Sequence, residues 1–284
     1  MIHLILAILF SSGVFIAMRF FERHKFDNHQ ALTWNYFVAT GLGLLMSPHI
    51  DTTRELVAEP WFELALLTGF WFIFTYLLMT YSSQRSGITI TSLSSKLSVV
   101  IPSLFGIILL KERLGLLSAI GIVLALVALV LVISGKGTKE TSGKSGWVLP
   151  LLIFFGTGIG DILMKSTEQL NSSDSMTFMV TFIYFIAMIF GFIIVAYDLI
   201  TGKSKWQWRN ILGGVELGLF NFFSTTCIYR AMRVFDNVVL FPVYNIGVVS
   251  LTALIGWLFF KERLTWKNYL GLAIAIIAVI LITL

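Results

Sequence analysis

Charged residues are scarce in this chain of 284 residues: Asp, Glu, Lys and Arg together make up 12% of it. Soluble domains carry about 25%, so this composition excludes an ordinary soluble domain. Cysteine occurs once, at Cys227, which excludes an intrachain disulfide. The histidines all lie before residue 50 without metal-ligand spacing, and the basic residues form no cluster along the sequence. We therefore predict no metal site, no cofactor and no nucleic-acid partner.

Apolar residues dominate instead, at 57% of the chain, with a mean hydropathy of +0.89. Runs of roughly 20 apolar residues recur, and each is long enough to cross about 30 Å of hydrocarbon as a helix. Backbone groups in lipid must be satisfied within each segment, so an all-α polytopic membrane protein in the lipid bilayer is predicted. The ten predicted spans are residues 2–20, 32–49, 61–81, 88–110, 115–134, 147–165, 175–198, 210–231, 237–260 and 266–284.

A charged tetrapeptide, Lys-Glu-Arg-Leu, occurs at residues 111–114 and again at residues 261–264. Aligned without a gap, residues 101–134 and 251–284 share 10 identical residues over 34 positions. Two apolar stretches would share some identities by composition alone, but composition would not place the charged residues identically. The pattern indicates a tandem duplication inside the membrane.

The most polar stretch, residues 135–146, is rich in Gly, Ser and Lys and is predicted to be a flexible linker. It separates a first five-helix repeat, residues 1–134, from a second, residues 147–284. Because each repeat holds an odd number of helices, the second inserts upside down relative to the first. Two inverted five-helix repeats are the usual construction of a secondary transporter whose site lies between them.

The chain also resembles a known family. Five plus five spans, with Glu112 and Glu262 in the short turns after spans 4 and 9 and a Gly- and Ala-bearing span after each, resemble the drug/metabolite transporter superfamily, EamA type. The resemblance covers essentially the whole chain and implies export or exchange of small metabolites. It also implies that spans 1, 3, 4, 6, 8 and 9 surround a central cavity. Span 1 departs from the family, since residues 11–13 are Ser-Ser-Gly where a Trp-Gly pair is common.

The orientation in the membrane stays open. Each loop takes the number of the span before it. The odd-numbered loops carry 13 of the 20 Lys and Arg residues and the even-numbered loops carry six. The positive-inside rule would place the odd-numbered loops in the cytoplasm and both termini outside. The resemblance implies cytoplasmic termini instead.

Lys96 lies about eight residues into span 4, roughly 12 Å below the membrane surface at 1.5 Å per residue. An ammonium group there costs at least about 2.5–3.5 kcal/mol, so it is expected to face a cavity or a carboxylate. Either Lys96 attracts an anionic or zwitterionic substrate or changes its protonation during transport, or it pairs with Asp161 or Glu216 or snorkels to the interface. The adjacent Ser94 and Ser95 offer hydroxyls to a ligand or ease helix packing.

Span 6 carries Asp161 four residues before Lys165. The two side chains either neutralise each other on one helix face, or Asp161 faces a cavity. Span 8 carries Asn221, Ser224 and Thr225 on one flank of an otherwise apolar helix. That flank is predicted to line a cavity rather than to face lipid.

Span 9 combines Pro242 with Tyr244 and Asn245, and a proline within a span frees a carbonyl for a substrate or a neighbour. The alignment of the two halves pairs Asn245 with Lys96, which predicts that both approach the pseudo-twofold axis. In span 3, Trp71 and Tyr76 are predicted either to stack on an aromatic or amphipathic substrate or to fill space against lipid.

The two charged turns have a structural interpretation. Their Lys and Arg bind lipid headgroups, while Glu112 and Glu262 cap the helix that follows each turn by accepting its free amides. The spans after these turns carry small-residue faces at residues 121–125 and 271–275, which suit tight helix packing or a homodimer contact.

We therefore predict a multi-pass secondary active transporter of the bacterial inner membrane that exports a small metabolite, an amino acid or similar amphipathic solute, by alternating access. No nucleotide-binding motif is present, so a coupling proton or a solute gradient would supply the energy. The alternatives are a non-transporting receptor or assembly subunit, and an intramembrane enzyme. The predicted substrate-binding residues are Lys96, Ser94, Ser95, Trp71, Tyr76, Asp161, Asn221, Ser224, Thr225, Tyr244 and Asn245.

Overall fold

The computed structural model describes residues 2–46, 57, 59–109, 115–134, 148–170, 176–232, 237–262 and 264–283. Within these ranges every regular element is a helix, and eleven helices follow one another along the chain. They are α1 (Ile2–Arg23), α2 (Asn28–Met46), α3 (Phe62–Arg85), α4 (Ile88–Leu97), α5 (Val100–Leu109), α6 (Leu116–Ser134), α7 (Val148–Leu170), α8 (Met176–Ile200), α9 (Arg209–Met232), α10 (Asn237–Phe260) and α11 (Trp266–Thr283).

The described helices overlap the ten predicted spans, and two of them, α4 and α5, fall within predicted span 4. Six of them, α1, α3 and α7 to α10, are long and apolar enough to cross a membrane, and shorter apolar segments lie in α4–α5, α6 and α11. The prediction of an all-α polytopic membrane protein is confirmed. The inversion of the second repeat relative to the first stays a prediction, as does the division into domains at residues 135–146, which lie outside the described residues.

The predicted span 4 is interrupted, because a turn at Ser98 and Val99 separates α4 from α5. Pro102 explains where the break falls. Proline lacks an N–H, and its ring clashes with the carbonyl four residues earlier, which belongs to Ser98. The Ser98 carbonyl instead accepts the Ile101 N–H at 2.8 Å. Pro102 itself lies in the first turn of α5, where a missing N–H costs nothing, and Lys96 is left in the last turn of α4.

The contacts divide the chain into two compact units. Unit 1 comprises residues 1–19, 78–159 and 223–284, and unit 2 comprises residues 20–77 and 160–222. Each unit takes helices from both halves of the sequence: α4, α5 and α6 join α10 and α11 in unit 1, and α2 joins α8 in unit 2. Helices α1, α3, α7 and α9 contribute residues to both units.

In unit 1 the largest helix contact joins α6 to α11. The two small-residue faces meet in the core of this unit, where Ala125, Ala128, Ala275 and Ala278 are all buried. Small side chains let the two helix backbones approach closely. These faces therefore serve packing within the chain, and a homodimer, which stays a prediction, would need another surface.

In unit 2 the largest helix contact joins α2 to α8. Glycines sit at its closest points: a Cβ added to Gly43 would lie 2.2 Å from Thr181 Oγ1, and a Cβ added to Gly191 would lie 2.6 Å from Thr33 Oγ1. Unlike Gly43, Gly41 on the same helix has open space around the position of a Cβ. Substituting Gly43 and Gly41 with alanine in turn therefore distinguishes the effect of crowding from the effect of helix propensity.

We expect Gly43→Ala to lower the free energy of unfolding by about 1–3 kcal/mol, because the added methyl overfills the contact with Thr181. The matched Gly41→Ala should cause no loss, since Ala favours a helix over Gly. Thermal unfolding of the purified variants in detergent measures both. Equal melting temperatures would show that α2 and α8 are not packed this tightly.

Candidate functional site

A connected set of polar side chains surrounds Lys96 in unit 1. The Lys96 ammonium lies 4.4 Å from the centroid of the Tyr244 ring. The Tyr244 hydroxyl shares a 2.5 Å hydrogen bond with Ser11 Oγ, which also bonds Ser224 Oγ. We call these four residues the lysine cluster; α1, α4, α9 and α10 each supply one of them.

The charge of Lys96 is only partly compensated. A cation–π contact contributes about 0.5–2 kcal/mol, less than the 2.5–3.5 kcal/mol or more that a charge costs in the membrane. The carbonyls at the end of α4 add a modest attraction, because the helix dipole is negative there. Among the described residues of unit 1 the one carboxylate is Glu262, and it binds the opposite end of α4. The lysine cluster therefore presents positive charge that a negative group on a solute can balance.

A small hollow adjoins Lys96, with a volume of about 10 Å³, which is room for about one water molecule. Asn245 is the other polar residue in its wall and is 9% exposed. The residues that line the hollow are Leu93, Lys96, Leu97, Asn245, Ile246, Val249, Ala275, Ile276 and Val279. The surroundings of Lys96 on this side are therefore mainly aliphatic.

The carboxylate of Glu262 holds the N-terminal end of α4. It accepts the Ile88 N–H at 2.6 Å, the Thr89 N–H at 3.3 Å and the Thr89 hydroxyl at 2.7 Å, and Glu262 is 7% exposed. A carboxylate satisfies the free amides at a helix N-terminus and interacts favourably with the helix dipole. Glu262 thus ties the α10–α11 turn to the helix that carries Lys96.

Two glycines make this approach possible. A Cβ added to Gly87 or to Gly256 would lie 2.6 Å from a carboxylate oxygen of Glu262, and Gly87 has a positive φ of 93°. The expectation that Glu262 caps the helix after its turn is wrong, because the carboxylate caps α4 instead. The start of α11 uses Asn268, whose side chain accepts the Thr265 N–H at 2.9 Å. Glu112 lies outside the described residues.

We expect Glu262→Gln to lower the free energy of unfolding by about 1–3 kcal/mol, because an amide offers fewer acceptors to the α4 amides and no charge. Thr89→Val should cost about 1 kcal/mol, and the two changes together less than their sum, since both remove the same hydrogen bond. Glu168→Gln, at an exposed position of α7, is the control. Additive losses in detergent unfolding would contradict the proposed coupling.

Unit 2 contains a second set, the tyrosine–asparagine cluster of Asn35, Tyr36, Tyr76, Tyr184 and Asn221. The Tyr76 hydroxyl donates to Asn221 Oδ1 at 2.8 Å, and Asn221 Nδ2 donates to Asn35 Oδ1 at 3.2 Å. The Tyr36 ring lies 5.7 Å from that of Tyr76 and 6.0 Å from that of Tyr184. Two predicted site residues, Tyr76 and Asn221, are therefore joined directly.

Three buried polar groups of α2 lack a hydrogen-bond partner among the described residues: Asn35 Nδ2, the Tyr36 hydroxyl and Thr40 Oγ1. Each unsatisfied group costs about 1–3 kcal/mol. In hydrocarbon the partner must come from protein, from water or from a bound solute. This cluster is suited to hydrogen-bond a polar, uncharged group beside aromatic rings.

Asp161 is exposed on α7, and so are Lys165 and Glu168 at helical spacing on the same face. A carboxylate within a span cannot face hydrocarbon without a large cost. Trp71 approaches this part of α7, because a Cβ added to Gly160 would lie 3.3 Å from Trp71 Cδ1. The two interpretations of Asp161, a residue of an aqueous cavity or a pair with Lys165 on the same helix face, both stay predictions.

We expect Asp161→Cys, in a Cys227→Ala background, to react with a membrane-impermeant thiol reagent in proteoliposomes. The control is Ile193→Cys, because Ile193 of α8 is 57% exposed but apolar, as expected for a lipid-facing position. A cysteine in hydrocarbon stays a thiol and is unreactive. Equal reactivity of the two cysteines, or none at Asp161→Cys, would contradict an aqueous face on α7.

Of the other predicted site residues, Ser94 is buried and its hydroxyl has no partner among the described residues, while Ser95 is half-buried. Thr225 is half-buried beside Ser224 on α9. Sequence reasoning missed Ser11 and Asn35 as partners. Ser11 was noted only as a departure from a family motif, and Asn35 lies alone in an apolar run. Among the described residues, no group of three or more His, Cys, Asp or Glu could hold a metal ion.

The fold defines the class: a polytopic membrane protein with polar groups within its spans. The model of the EamA-like transporter family matches residues 1–134 and 144–284, and the chain belongs to this family. The resemblance to the drug/metabolite transporter superfamily is thereby confirmed. The protein is a multi-pass membrane transporter of that type.

Two further comparisons found similar proteins. An uncharacterized protein of Haemophilus influenzae is 27% identical over 288 residues, which cover 98% of this chain and 96% of that protein. A protein of known crystal structure has a TM-score of 0.63 at 12% identity, over 99% of this chain and 95% of that one. The second likeness concerns the fold alone.

Proposed function

We propose that the protein is a secondary active transporter that exports a small carboxylate-bearing, amphipathic metabolite, such as an amino acid, across the bacterial inner membrane. The observation that carries the proposal is the contact of the Lys96 ammonium with the face of Tyr244, while Glu262, the one carboxylate among the described residues of unit 1, binds the opposite end of α4. The ammonium of Lys96 binds the carboxylate of the solute, and the aliphatic side chains beside Lys96 contact the apolar part.

The hydroxyl chain supports this role for the lysine cluster. Ser11, Ser224 and Tyr244 are joined by hydrogen bonds, so the Tyr244 ring is held in place beside Lys96. A preorganised ring and hydroxyl set reduces the entropy lost when a solute binds. The tyrosine–asparagine cluster, within unit 2, offers neutral hydrogen-bonding groups.

Alternating access between inverted repeats is the proposed mechanism. The pairing of helices supports it: α6 packs against α11 and α2 against α8, and each pair joins equivalent spans of the two sequence halves. When the equivalent helices of two repeats pack on each other, the same helix contacts can form in two related arrangements of the repeats. A proton or solute gradient supplies the energy.

Lys96→Met should reduce counterflow of a transported solute in proteoliposomes by at least about tenfold, equivalent to about 1.4 kcal/mol, because the carboxylate loses its counter-charge. Tyr244→Phe keeps the ring and loses only the hydroxyl bond to Ser11, so its effect should be smaller. A panel of labelled carboxylate, zwitterionic, neutral and cationic metabolites identifies the solute class.

Lys267→Met, near the start of α11, is the matched control and should transport normally. Lys96→Arg should retain part of the activity because it keeps the charge. Unchanged counterflow in Lys96→Met would show that this ammonium does not bind the solute. Failure of every solute to exchange through the wild-type protein would reject transport of these classes.

A further inference from the structure

Two loops of unit 2 are fastened together at one end of the helices. They are the turn between α1 and α2, residues 24–27, and the loop between α8 and α9, residues 201–208. Asp27 Oδ2 accepts the Ser204 hydroxyl at 2.7 Å, and the Asp27 N–H donates to Asn210 Oδ1 at 3.0 Å. Arg209 donates to the Lys25 carbonyl at 2.8 Å.

Gln30 completes the connection from the start of α2. Gln30 is 1% exposed, and both the nitrogen and the oxygen of its side-chain amide form hydrogen bonds. The amide nitrogen donates to Ser204 Oγ at 2.9 Å and to the Lys205 carbonyl at 3.0 Å, and the amide oxygen accepts the Asn210 side chain at 2.9 Å. A buried network with its groups satisfied specifies one arrangement. The two loops therefore form a single surface.

This surface is basic. Its Lys and Arg residues are all exposed: Arg23, Lys25, Lys203, Lys205 and Arg209. Four carboxylates lie nearby: Asp27 bonds Ser204, Asp198 bonds His29 at 2.5 Å, and Glu22 and Glu216 are exposed, with Glu216 close enough to His24 to interact electrostatically. The cations outnumber the carboxylates, although the sequence spreads them over two loops more than 170 residues apart. We call these five residues the basic surface.

Aromatic rings place the basic surface at the depth of lipid headgroups. Trp206 is 39% exposed and lies 6.2 Å from the Trp34 ring and 5.8 Å from the Trp208 ring, and Trp208 is 74% exposed. Tryptophan favours the membrane–water interface. Next to the loop, Ile200 is 86% exposed and Leu212 is 69% exposed, as expected for side chains in contact with acyl chains.

We propose that the basic surface binds the headgroups of anionic phospholipids. Lys203 and Lys205 precede Trp206 by three residues and one residue, so their ammonium groups lie at the level of the lipid phosphates while the indole rings lie beside the glycerol backbone. Arg23 and Arg209 add guanidinium groups, which bind phosphate oxygens in a bidentate manner. The exposed apolar residues next to the loop favour a lipid, with its acyl chains, over a free phosphate. This inference does not depend on which solute is transported.

The test uses quenching of tryptophan fluorescence by brominated lipid. The full-length protein is reconstituted into phosphatidylcholine vesicles that contain increasing fractions of brominated phosphatidylglycerol, or of brominated phosphatidylcholine. Subtracting the Trp208→Phe signal isolates the contribution of Trp208. We expect half-maximal quenching of Trp208 at a lower fraction of the anionic lipid, and the difference should shrink at high salt because surface charges are screened.

Lys203→Gln with Lys205→Gln should raise the anionic fraction needed for half-maximal quenching by about fivefold for each cation removed. Both side chains are exposed, so the hydrogen bonds between the loops stay intact. The double control Lys261→Gln with Lys267→Gln, in unit 1, removes the same charge elsewhere and should leave the curve unchanged. Thermal unfolding confirms that all variants are folded.

Equal quenching of Trp208 by the two brominated lipids would overturn the proposal. An equal shift of the quenching curve in the control with Lys261→Gln and Lys267→Gln would also overturn the proposal. The attraction of the protein to anionic lipid would then depend on its net charge rather than on the basic surface. Glycerol phosphate in the buffer, at concentrations up to that of the lipid, should not displace the lipid. Displacement would show that the surface binds a soluble phosphate instead.

Discussion

The structure depends on one constraint: hydrocarbon offers no hydrogen bonds, so each polar side chain inside a span needs a partner from the protein or from water. Glu262 is satisfied entirely by α4, through two amides and one hydroxyl. Among the described residues of unit 1, Lys96 contacts the face of the Tyr244 ring. Asp161 is exposed. Glu262 therefore stabilises the fold, whereas the roles of Lys96 and Asp161 in solute binding stay predictions.

The carboxylate of Glu262 and the ammonium of Lys96 lie at opposite ends of the same short helix, α4. Glu262 holds the first turn of α4, and Lys96 occupies the last turn, next to the break that Pro102 imposes. A helix of ten residues fastened at its start places the residue at its end with little freedom. Glu262 belongs to the charged turn in the second half of the sequence. Through its hydrogen bonds to α4, it positions Lys96, a residue of the first half.

Much of the fold could be predicted from the sequence, because hydrophobicity and helix length act locally. The spans and the family were predicted correctly from apolar runs and from the repeated turn. Local chemistry also identified Lys96 and Asp161 as unusual, since a charge in a span is costly wherever it lies. The same reasoning misassigned the helix that Glu262 caps, because proximity in sequence favoured α11. It placed Lys96 correctly in a span and did not foresee that a turn follows two residues later.

What the sequence by itself determined is the membrane setting, the order of the spans and which residues are chemically out of place there. What only the tertiary structure decided is which of those residues meet. Ser11 and Ser224 are 213 residues apart, Tyr76 and Asn221 are 145 apart, and Thr89 and Glu262 are 173 apart. The reason is physical: burial in lipid follows from each segment's own composition, whereas a hydrogen bond needs two groups within about 3 Å, and packing of distant helices sets that distance.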